Sequence, residues 1–230
     1  MKFQNADIMI VTPSYGGLIE ETEACVDKLY EYSKWFAHHD EGRLPANNIV
    51  RNFAKSTSPA WVRNSAADMF LESKARSLLM IDRDHIFNHT YLQLLYEADK
   101  EIIAALATTK IEAFHEDKKP IVPVCSQMID GKLVGMNQDE INRILSRSGD
   151  KPFEVDRTGM GMILIKRKVF EGIKRPWFAM PESNIEGNPQ GCSGEDFYFC
   201  QKAKEAGLKI WIHPACPVIH IGRGYYGMGS

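Results

Sequence analysis

The sequence lacks several features that would define its class directly. It contains no Cys-x-x-Cys pair and no other spacing that is typical of a zinc site. It also has no excess of charge of one sign, since 28 basic residues stand against 30 acidic ones and the net charge is −2. This balance excludes a global attraction to nucleic acid or to an anionic membrane. Partners must therefore be inferred from individual sites.

Long apolar runs are missing as well. Residues 1–7 contain no apolar stretch of a signal peptide, and no run elsewhere is long enough to cross a bilayer. The number of cysteines is odd, and we interpret all five as reduced residues of the core or of strands: Cys25, Cys125, Cys192, Cys200 and Cys216. We expect a soluble, cytoplasmic protein.

Apolar runs alternate with helix-period segments through the first half of the chain. Strands are predicted at 7–12, 48–53, 78–81 and 102–107, and helices at 20–38, at 58–75 and from 90 onward. Ser58 and Pro59 have the residue types of an N-cap and of a first helical position. This βαβ alternation predicts an α/β fold with a parallel sheet, and 230 residues suit one such domain.

The pattern weakens after residue 107 and returns near the end. Short strands are predicted at 121–125 and 132–136 around an Asp130-Gly131 turn, whereas 137–151 is polar and is predicted as a loop with a short helix. A strand at 162–165 and a short helix around 169–170 follow. An amphipathic helix at 197–206 is closed by Gly207, and short strands follow at 209–213 and 218–220.

The most informative segment is 78–85, where four apolar residues lead directly into Asp82-Arg83-Asp84. The run predicts a buried strand, and open α/β sheets bind ligands at the carboxyl ends of their strands. Two carboxylates on one turn repel each other unless a hard cation such as Mg²⁺ or Mn²⁺ neutralises them, and such ions commonly bridge to phosphate. The alternative is a polar turn in which either acid bonds the local backbone.

Several ordered motifs resemble the GT-A class of nucleotide-sugar-dependent glycosyltransferases, in particular the family 2-like enzymes of bacteria and their phages. The motifs are 10–15, Arg63-Asn64, Asp82-x-Asp84, Thr158-Gly159-Met160-Gly161, Gly194-Glu195-Asp196 and His220-Ile221-Gly222. The resemblance implies a GT-A fold with a mostly parallel central sheet flanked by helices. It also implies a single domain over 1–230, with a nucleotide-binding half at 1–107 and an acceptor-side half at 108–230.

By this resemblance, Asp84 contacts a Mn²⁺ or Mg²⁺ ion, Asp82 contacts the ion or the ribose, and His220 is the third ligand. The ion would stabilise negative charge on the leaving diphosphate of a nucleotide-sugar, for which we expect a UDP-sugar. A single histidine near a chain end is otherwise more typical of a surface or core residue.

The resemblance assigns the general base of an inverting transfer to Asp196, with Glu195 as second choice or as an acceptor-binding residue. The alternative is structural, because Ser193-x-x-Asp196 also fits a helix cap, and the helix dipole favours an acid in the first turn. Both roles are compatible with one side chain.

The remaining candidate donor-binding residues come from the same motifs. We expect Thr12, Pro13, Ser14 and Tyr15 to line the base pocket, Arg63 and Arg83 to lie beside the diphosphate, and Gly159 and Gly161 to allow close approach beside the donor sugar. Arg63 would alternatively form a surface ion pair with Asp68 or Glu72. Trp177 and Tyr198 are candidates for sugar stacking or for core packing.

The sequence therefore predicts a metal-dependent glycosyltransferase that acts on an acceptor hydroxyl. The acceptor is open among a glycan, a protein, a small molecule and a modified DNA base, and the basic residues in 166–168 and 174–175 keep the last alternative open. The alternatives are a haloacid-dehalogenase-type phosphatase that uses Asp-x-Asp, a sugar nucleotidyltransferase, and a non-catalytic carbohydrate-binding protein of the same fold. Ile86 and the complete βαβ unit before the motif argue against the phosphatase, and the missing Gly-rich basic loop argues against the nucleotidyltransferase.

Overall fold

The computed structural model describes residues 8–13, 19–39, 46–50, 58–108, 123–180, 194–221 and 225–226. The helices in these ranges are α1 (Glu20–His39), α2 (Pro59–Glu72), α3 (Tyr91–Glu97), α4 (Gln138–Ser148), α5 (Arg167–Gly172) and α6 (Glu195–Glu205). The strands are β1 (Ile8–Val11), β2 (Ala46–Val50), β3 (Ser77–Ile81), β4 (His85–Ile86), β5 (Ile102–Leu106), β6 (Cys125–Ile129), β7 (Lys132–Gly135), β8 (Phe153–Val155), β9 (Arg157–Thr158), β10 (Met162–Lys166), β11 (Ile210–Pro217), β12 (Ile219–Ile221) and β13 (Tyr225–Tyr226). None of these helices combines the length and the apolarity that a bilayer crossing requires.

The main sheet has seven strands in the order β2-β1-β3-β10-β5-β11-β8. The strands β2, β1, β3, β5 and β11 run in one direction, which confirms a mostly parallel central sheet. The prediction of a parallel sheet is wrong for β10, which lies antiparallel between β3 and β5, and for the edge strand β8. The error has a simple cause, because a buried apolar run such as 162–165 has the same pattern in either chain direction.

Both faces of this sheet are buried because successive side chains on a strand point to opposite faces. Leu78 and Met80 of β3 pack in one apolar cluster with Phe70, Phe170 and Phe199 of α2, α5 and α6. Leu79 and Ile81 of β3 point to the opposite face of the sheet, where they pack in a second cluster with apolar residues of α1 and α3. The sheet is therefore flanked by helices on both faces, and its strand ends are held in fixed positions.

The sequence predicts the interactions at the start of helix α2 but not those at its end. The Ser58 side chain accepts a hydrogen bond from the Trp61 amide, and Pro59 occupies the first turn, as predicted. Beyond the carboxyl end, the Arg167 guanidinium donates to the carbonyl oxygens of 70, 71, 73 and 75. These bonds supply donors to carbonyls at and just beyond the end of the helix, where intrahelical donors run out. Helix α2 is thereby fixed against α5.

The second half of the chain contains one confirmed turn and one wrong prediction. Asp130 and Gly131, with φ of 49° and 75°, connect β6 to β7 as the predicted hairpin turn. The segment 137–151, predicted as a loop with a short helix, forms the 11-residue helix α4 instead. Asn137 and Glu140 form a reciprocal capping box at its start.

Four of the five basic residues at 166–168 and 174–175 contact other groups of the chain. Lys166 pairs with Asp99, Lys168 pairs with Glu101, and Arg175 lies 2.6 Å from Asp68. Arg167 caps α2 as described above. A basic patch for nucleic acid would need cations that are not already bound to the protein's own acids. These contacts do not identify the acceptor, and the modified DNA base stays among the predicted alternatives.

The cysteines that the structure describes are consistent with the expected reduced state. Cys125, Cys200 and Cys216 are buried, Cys25 is half-buried, and none of the four forms a disulfide. Burial raises the pKa of Cys125 and of Cys216 to about 12, so both are neutral thiols at physiological pH. Cys192 lies outside the described residues.

Candidate functional site

The two acids of the Asp-x-Asp motif lie between the main sheet and a second, smaller sheet. Strand β3 is buried along its length and ends at Ile81. The Asp82 amide then donates to the Gly161 carbonyl at 2.9 Å, and Asp84 leads directly into β4. Strand β4 belongs to the three-stranded sheet β13-β12-β4. The motif therefore turns the chain at the carboxyl end of β3, where the sequence predicted a ligand site.

Strand β12 brings His220 to this turn from near the end of the chain. It pairs antiparallel with β4, with His220 opposite His85, and the Ile221 amide donates to the Asp84 carbonyl at 2.7 Å. The two imidazole rings stack with their centroids 4.4 Å apart and their planes 20° apart. Two histidines that are distant in sequence thus become neighbours through strand register.

Three side chains converge at this point. Asp84 Oδ2 lies 3.2 Å from His220 Nε2, and Asp84 Oδ1 lies 3.2 Å from His85 Nδ1. One donor atom from each residue lies within 4.8 Å of the others. Burial alone would raise the pKa of the Asp84 carboxyl, but the contacts with His220 and His85 hold this pKa well below its ordinary value. Asp84 is therefore a carboxylate throughout the physiological range.

The donor set fits a divalent cation. The Nδ1 atom of His85 is buried, and its 3.2 Å contact with Asp84 Oδ1 lacks the geometry of a hydrogen bond. His220 Nδ1 lies 3.3 Å from the Thr108 carbonyl, and donation to that oxygen leaves Nε2 of a neutral ring with a lone pair facing Asp84. A cation among these atoms would satisfy both imidazoles and the carboxylate. One carboxylate and two imidazoles suit Mn²⁺ or a similar borderline ion.

Arg63 links the motif to the start of α6. Its Nη2 donates to Asp82 Oδ1 at 2.7 Å and its Nε to Glu195 Oε1 at 3.0 Å, while the residue is only 5% exposed. Burial disfavours the charged guanidinium, but Asp82 and Glu195 outweigh this effect, and the pKa of Arg63 is raised. The alternative of a surface ion pair with Asp68 or Glu72 is wrong, because Arg63 is buried and paired on the inside.

Asp196 lies in the first turn of α6, and its carboxylate lies close to the glycines Gly194 and Gly159. A Cβ built on Gly194 would lie 2.6 Å from Asp196 Oδ1, and one on Gly159 would lie 3.8 Å from Oδ2. The Phe197 amide donates to Oδ1 at 2.7 Å, so the carboxylate also caps the helix locally. The predicted partner Ser193 lies outside the described residues.

The electrostatic environment of Asp196 differs from that of its neighbours. Burial and the adjacent Glu195 charge raise the pKa of Asp196 to about 6, against the opposing effects of Arg63 and of the Phe197 amide. A carboxyl with such a pKa is ionised at neutral pH and binds a proton more readily than an ordinary carboxylate. These are the properties that a general base needs.

An open cleft joins Asp84 and His220 to Arg63 and Glu195. The described residues that line it are Pro13, Pro59, Val62, Arg63, Asp82, Arg83, Asp84, Glu195 and His220. Seven of the residues predicted for the site therefore share one cleft, although they come from the ends of β1, α2, β3, α6 and β12. Apolar and charged residues together give the cleft a mixed lining, which suits a ligand with both a ring system and phosphates.

Other predicted site residues lie beside the cleft or outside the described ranges. Thr12 is buried at the end of β1, and its hydroxyl has no hydrogen-bond partner within the described ranges. Gly161 packs against His85, since an added Cβ would lie 2.6 Å from His85 Nε2. Gly159 packs against Val124 as well as Asp196. Ser14 and Tyr15 fall outside the described residues.

The aromatic candidates divide between core and surface. Trp177 is 5% exposed, and its indole Nε1 donates to the carbonyls of Phe170 and Ile173, so it belongs to the core. Tyr198 is half-buried on α6, where the Lys202 ammonium lies 5.6 Å from its ring centroid. Sugar stacking by Trp177 would require its removal from this core position, whereas the position of Tyr198 leaves its predicted roles open.

Sequence reasoning missed His85. The residue is 3% exposed and contributes a donor atom to the cluster, in which Asp82 takes no part because its carboxylate is paired with Arg63. A signal was available, since His85 directly follows Asp84 in the sequence. Adjacent side chains on one strand point to opposite faces, but Asp84 belongs to the turn and only His85 to β4, so both can contribute to the cluster.

The comparisons with known proteins bear on the fold. The sequence matches no protein-family model, and no curated protein matches it either. Among solved structures, the chain is similar to A197 from STIV, with a TM-score of 0.54 and 16% sequence identity over 97% of this chain and 94% of that one. It is also similar to GalNAc-T7, solved with UDP, GalNAc and Mn²⁺, with a TM-score of 0.56 and 13% identity.

The second similarity covers 97% of this chain but 45% of the GalNAc-T7 chain, so the chain spans less than half the length of that protein. At these identities the likeness concerns the fold alone. The helix-flanked, mostly parallel sheet described above agrees with it. The chain has a fold like that of a GT-A glycosyltransferase.

Proposed function

We propose that the protein is a metal-dependent glycosyltransferase of the family 2-like type, which moves a sugar from a UDP-sugar to an acceptor hydroxyl with inversion at the anomeric carbon. The observation that carries this proposal is the convergence of Asp84, His85 and His220, of which Asp84 and His220 line the cleft that also contains Glu195. Asp196, with its raised pKa, directly follows Glu195 at the start of α6. A metal-binding set and a candidate base are the two elements that such a transfer requires.

The ion-binding set in this proposal is Asp84, His85 and His220. Asp82 was predicted as a ligand, but its carboxylate is bonded to Arg63, so we assign the third protein ligand to His85. A bound Mn²⁺ or Mg²⁺ would orient the diphosphate and stabilise the charge that develops on the leaving UDP. The similarity to a structure that holds UDP and Mn²⁺ supports this choice of donor and ion.

The protein's own residues then divide into a donor side within 1–107 and an acceptor side within 108–230. On the donor side, Pro13, Pro59 and Val62 supply apolar surface in the cleft for the nucleoside. On the acceptor side, Asp196 takes the proton of the acceptor hydroxyl as that oxygen bonds to the anomeric carbon. The bond from this carbon to the diphosphate oxygen breaks, and its electron pair leaves with UDP. Attack opposite to the leaving group inverts the configuration.

The competing enzyme class is disfavoured by one contact. A phosphatase of the haloacid-dehalogenase type would need one acid of the motif as a nucleophile, and Asp82 Oδ1 is held by the buried Arg63 at 2.7 Å. Attack by Asp82 would neutralise its carboxylate and so weaken its ion pair with the buried guanidinium, which makes this acid a poorer nucleophile. A non-catalytic carbohydrate-binding protein would bind a sugar without turning over a donor.

The proposal is tested first by binding. A panel of nucleotide sugars is added with and without Mn²⁺, and the melting temperature is measured, since a ligand that binds the folded state raises it. We expect a Mn²⁺-dependent increase with at least one UDP-sugar. Asp84→Asn should abolish the increase, whereas Asp99→Asn, which removes an exposed acid from the ion pair with Lys166, should retain it.

Turnover is tested on the same proteins. We expect slow Mn²⁺-dependent hydrolysis of the UDP-sugar that binds, with release of UDP, and loss of this activity in Asp196→Asn. Release of inorganic phosphate from a phosphomonoester, lost in Asp82→Asn, would support the phosphatase instead. Full metal dependence in Asp84→Asn would show that the ion is bound elsewhere.

A further inference from the structure

Three carboxylates surround a single buried guanidinium in the cleft. Asp82 and Glu195 are bonded to Arg63, and Asp196 is close enough for its charge to affect the pKa of Arg63. Arg63 lies 19 residues from Asp82 and 132 residues from Glu195 in the sequence, so the group joins the donor side to the acceptor side. One positive charge here faces three negative charges, and it cannot neutralise all of them.

Arg63 forms hydrogen bonds with two of the three carboxylates and not with the third. Arg63 donates through Nη2 to Asp82 and through Nε to Glu195, but it donates no hydrogen bond to Asp196. Asp196 forms no ion pair within the described part of the chain, and its carboxylate accepts a hydrogen bond from the Phe197 amide. A carboxylate paired with a buried guanidinium remains ionised, whereas a partly buried carboxylate beside another negative charge takes up a proton more easily. Contrasting environments of this kind separate the roles of neighbouring acids.

We propose that Arg63 is a positioning residue that holds the Asp82 and Glu195 side chains by hydrogen bonds and leaves Asp196 as the carboxylate of the three that takes the acceptor's proton. This inference rests on the proposed function and deepens it. It decides between the two acids that the sequence left as candidates for the base. The predicted contact between Arg63 and the diphosphate stays a prediction, because Nη1 of the guanidinium has no hydrogen-bond partner among the described residues.

The proposal predicts that the pKa of Asp196 moves in opposite directions in two variants. Among the described residues, the charged groups that act on Asp196 are Glu195, Arg63 and Asp82. Removal of the Glu195 charge in Glu195→Gln takes away a repulsion and lowers the pKa of Asp196. Removal of the guanidinium in Arg63→Met takes away an attraction and raises it. Arg63→Lys keeps the charge but cannot reach two carboxylates with a planar fork, so its effect is intermediate.

The first experiment measures the pH dependence of kcat/KM for donor turnover with saturating Mn²⁺. We expect the acid limb to move down by about one pH unit in Glu195→Gln and up by about one unit in Arg63→Met, with Arg63→Lys between Arg63→Met and the wild type. Arg175→Met is the matched control, because it removes an exposed arginine that pairs only with Asp68 among the contacts described above. Its profile should match the wild type.

The second experiment needs no substrate. The carboxyl ¹³C signal of Asp196 is titrated by NMR in the metal-free wild type, Glu195→Gln and Arg63→Lys, and its midpoint should move in the same directions. If Arg63→Met does not fold, Arg63→Lys and Glu195→Gln decide the question. NMR shifts without turnover of any donor would contradict the proposed function and leave the role of Arg63 standing. The role of Arg63 would be overturned if the NMR midpoints of Asp196 did not move. It would also be overturned if Glu195→Gln were inactive at every pH while Asp196→Asn retained activity.

Discussion

Gly161→Ala is the substitution whose effect the structure defines most sharply. The glycine lies immediately before β10, and its carbonyl accepts the hydrogen bond from the Asp82 amide. A Cβ at this position would lie 2.6 Å from Nε2 of His85, 2.9 Å from Cδ2 and 3.1 Å from Cε1. The new methyl group would therefore press on three atoms of the imidazole ring at once.

The displacement that results can be worked out from these distances. Ordinary van der Waals contact begins at 3.4 Å, so the ring must retreat by about 0.8 Å. His85 is 3% exposed and stacked on His220, which leaves it little space to move into. A metal site tolerates changes of about 0.2 Å in its ligand distances. We expect a loss of about 10- to 100-fold in Mn²⁺ affinity and a cost of about 1–3 kcal/mol in the unfolding free energy of the metal-free protein.

The assay is titration of Mn²⁺ followed by electron paramagnetic resonance of the free ion, together with urea unfolding of the metal-free protein. Gly172→Ala is the matched control, because an added Cβ there meets nothing within 4 Å. In the double variant Gly161→Ala with His85→Ala the clash is absent, so the effects of the two single substitutions on stability should not add. Wild-type Mn²⁺ affinity in Gly161→Ala would refute the assignment of His85 as a ligand.

Two further predictions concern stability. The pKa of Asp196 is about 6 in the folded protein and 3.8 as an ordinary carboxyl, so its ionisation opposes folding. Asp196→Asn should therefore stabilise the protein by about 2 kcal/mol at pH 8, and this gain should vanish below about pH 4. Urea unfolding at both pH values measures the difference. An equal gain at both pH values would contradict this cause. Arg167→Met should destabilise the protein by about 3 kcal/mol in the same assay, because four hydrogen bonds from the guanidinium to backbone carbonyls at and beyond the end of α2 are lost. Arg167→Lys should not restore this stability, and a lysine variant as stable as the wild type would show that charge alone suffices.

Local features of the fold could be predicted because their causes are local. The Ser58 cap of α2 and the turn at Asp130 and Gly131 depend on residues within a few positions of each other. The buried strand β3 was evident from four consecutive apolar residues before Asp82. Each of these features follows from backbone preferences or from burial of a short run.

The errors arise where the cause is not local or where the apolar signal is weak. The antiparallel insertion of β10 depends on which strands it meets, and an apolar run does not encode its direction. Helix α4 buries only Ile141, so its sequence resembles a polar loop, although Asn137 and Glu140 mark its start. The capping residues were the better indicator there, and the shortage of apolar residues was misleading.

The site shows the same division. Asp82 and Asp84 were found because they follow β3 directly, and His220 was found through its resemblance to a family motif. The partners of Arg63 could not be found from any pattern, because a contact across 132 residues depends on how α6 packs beside α2. Sequence reasoning identified most of the cleft's residues but not which of them are bonded to each other.

The metal-binding set differs from the rest of the site in how its geometry is fixed. Residues directly opposite each other on paired strands have Cβ atoms about 4.5–5.5 Å apart, and His85 and His220 are such a pair. Their spacing is therefore set by backbone hydrogen bonds of the sheet and by the bond from the Ile221 amide to the Asp84 carbonyl. The same strand pairing that orders residues 219–221 brings the two imidazoles together. Any ion bound between Asp84 and His220 would stabilise this pairing by mass action, so we expect metal affinity and the order of β12 to change together.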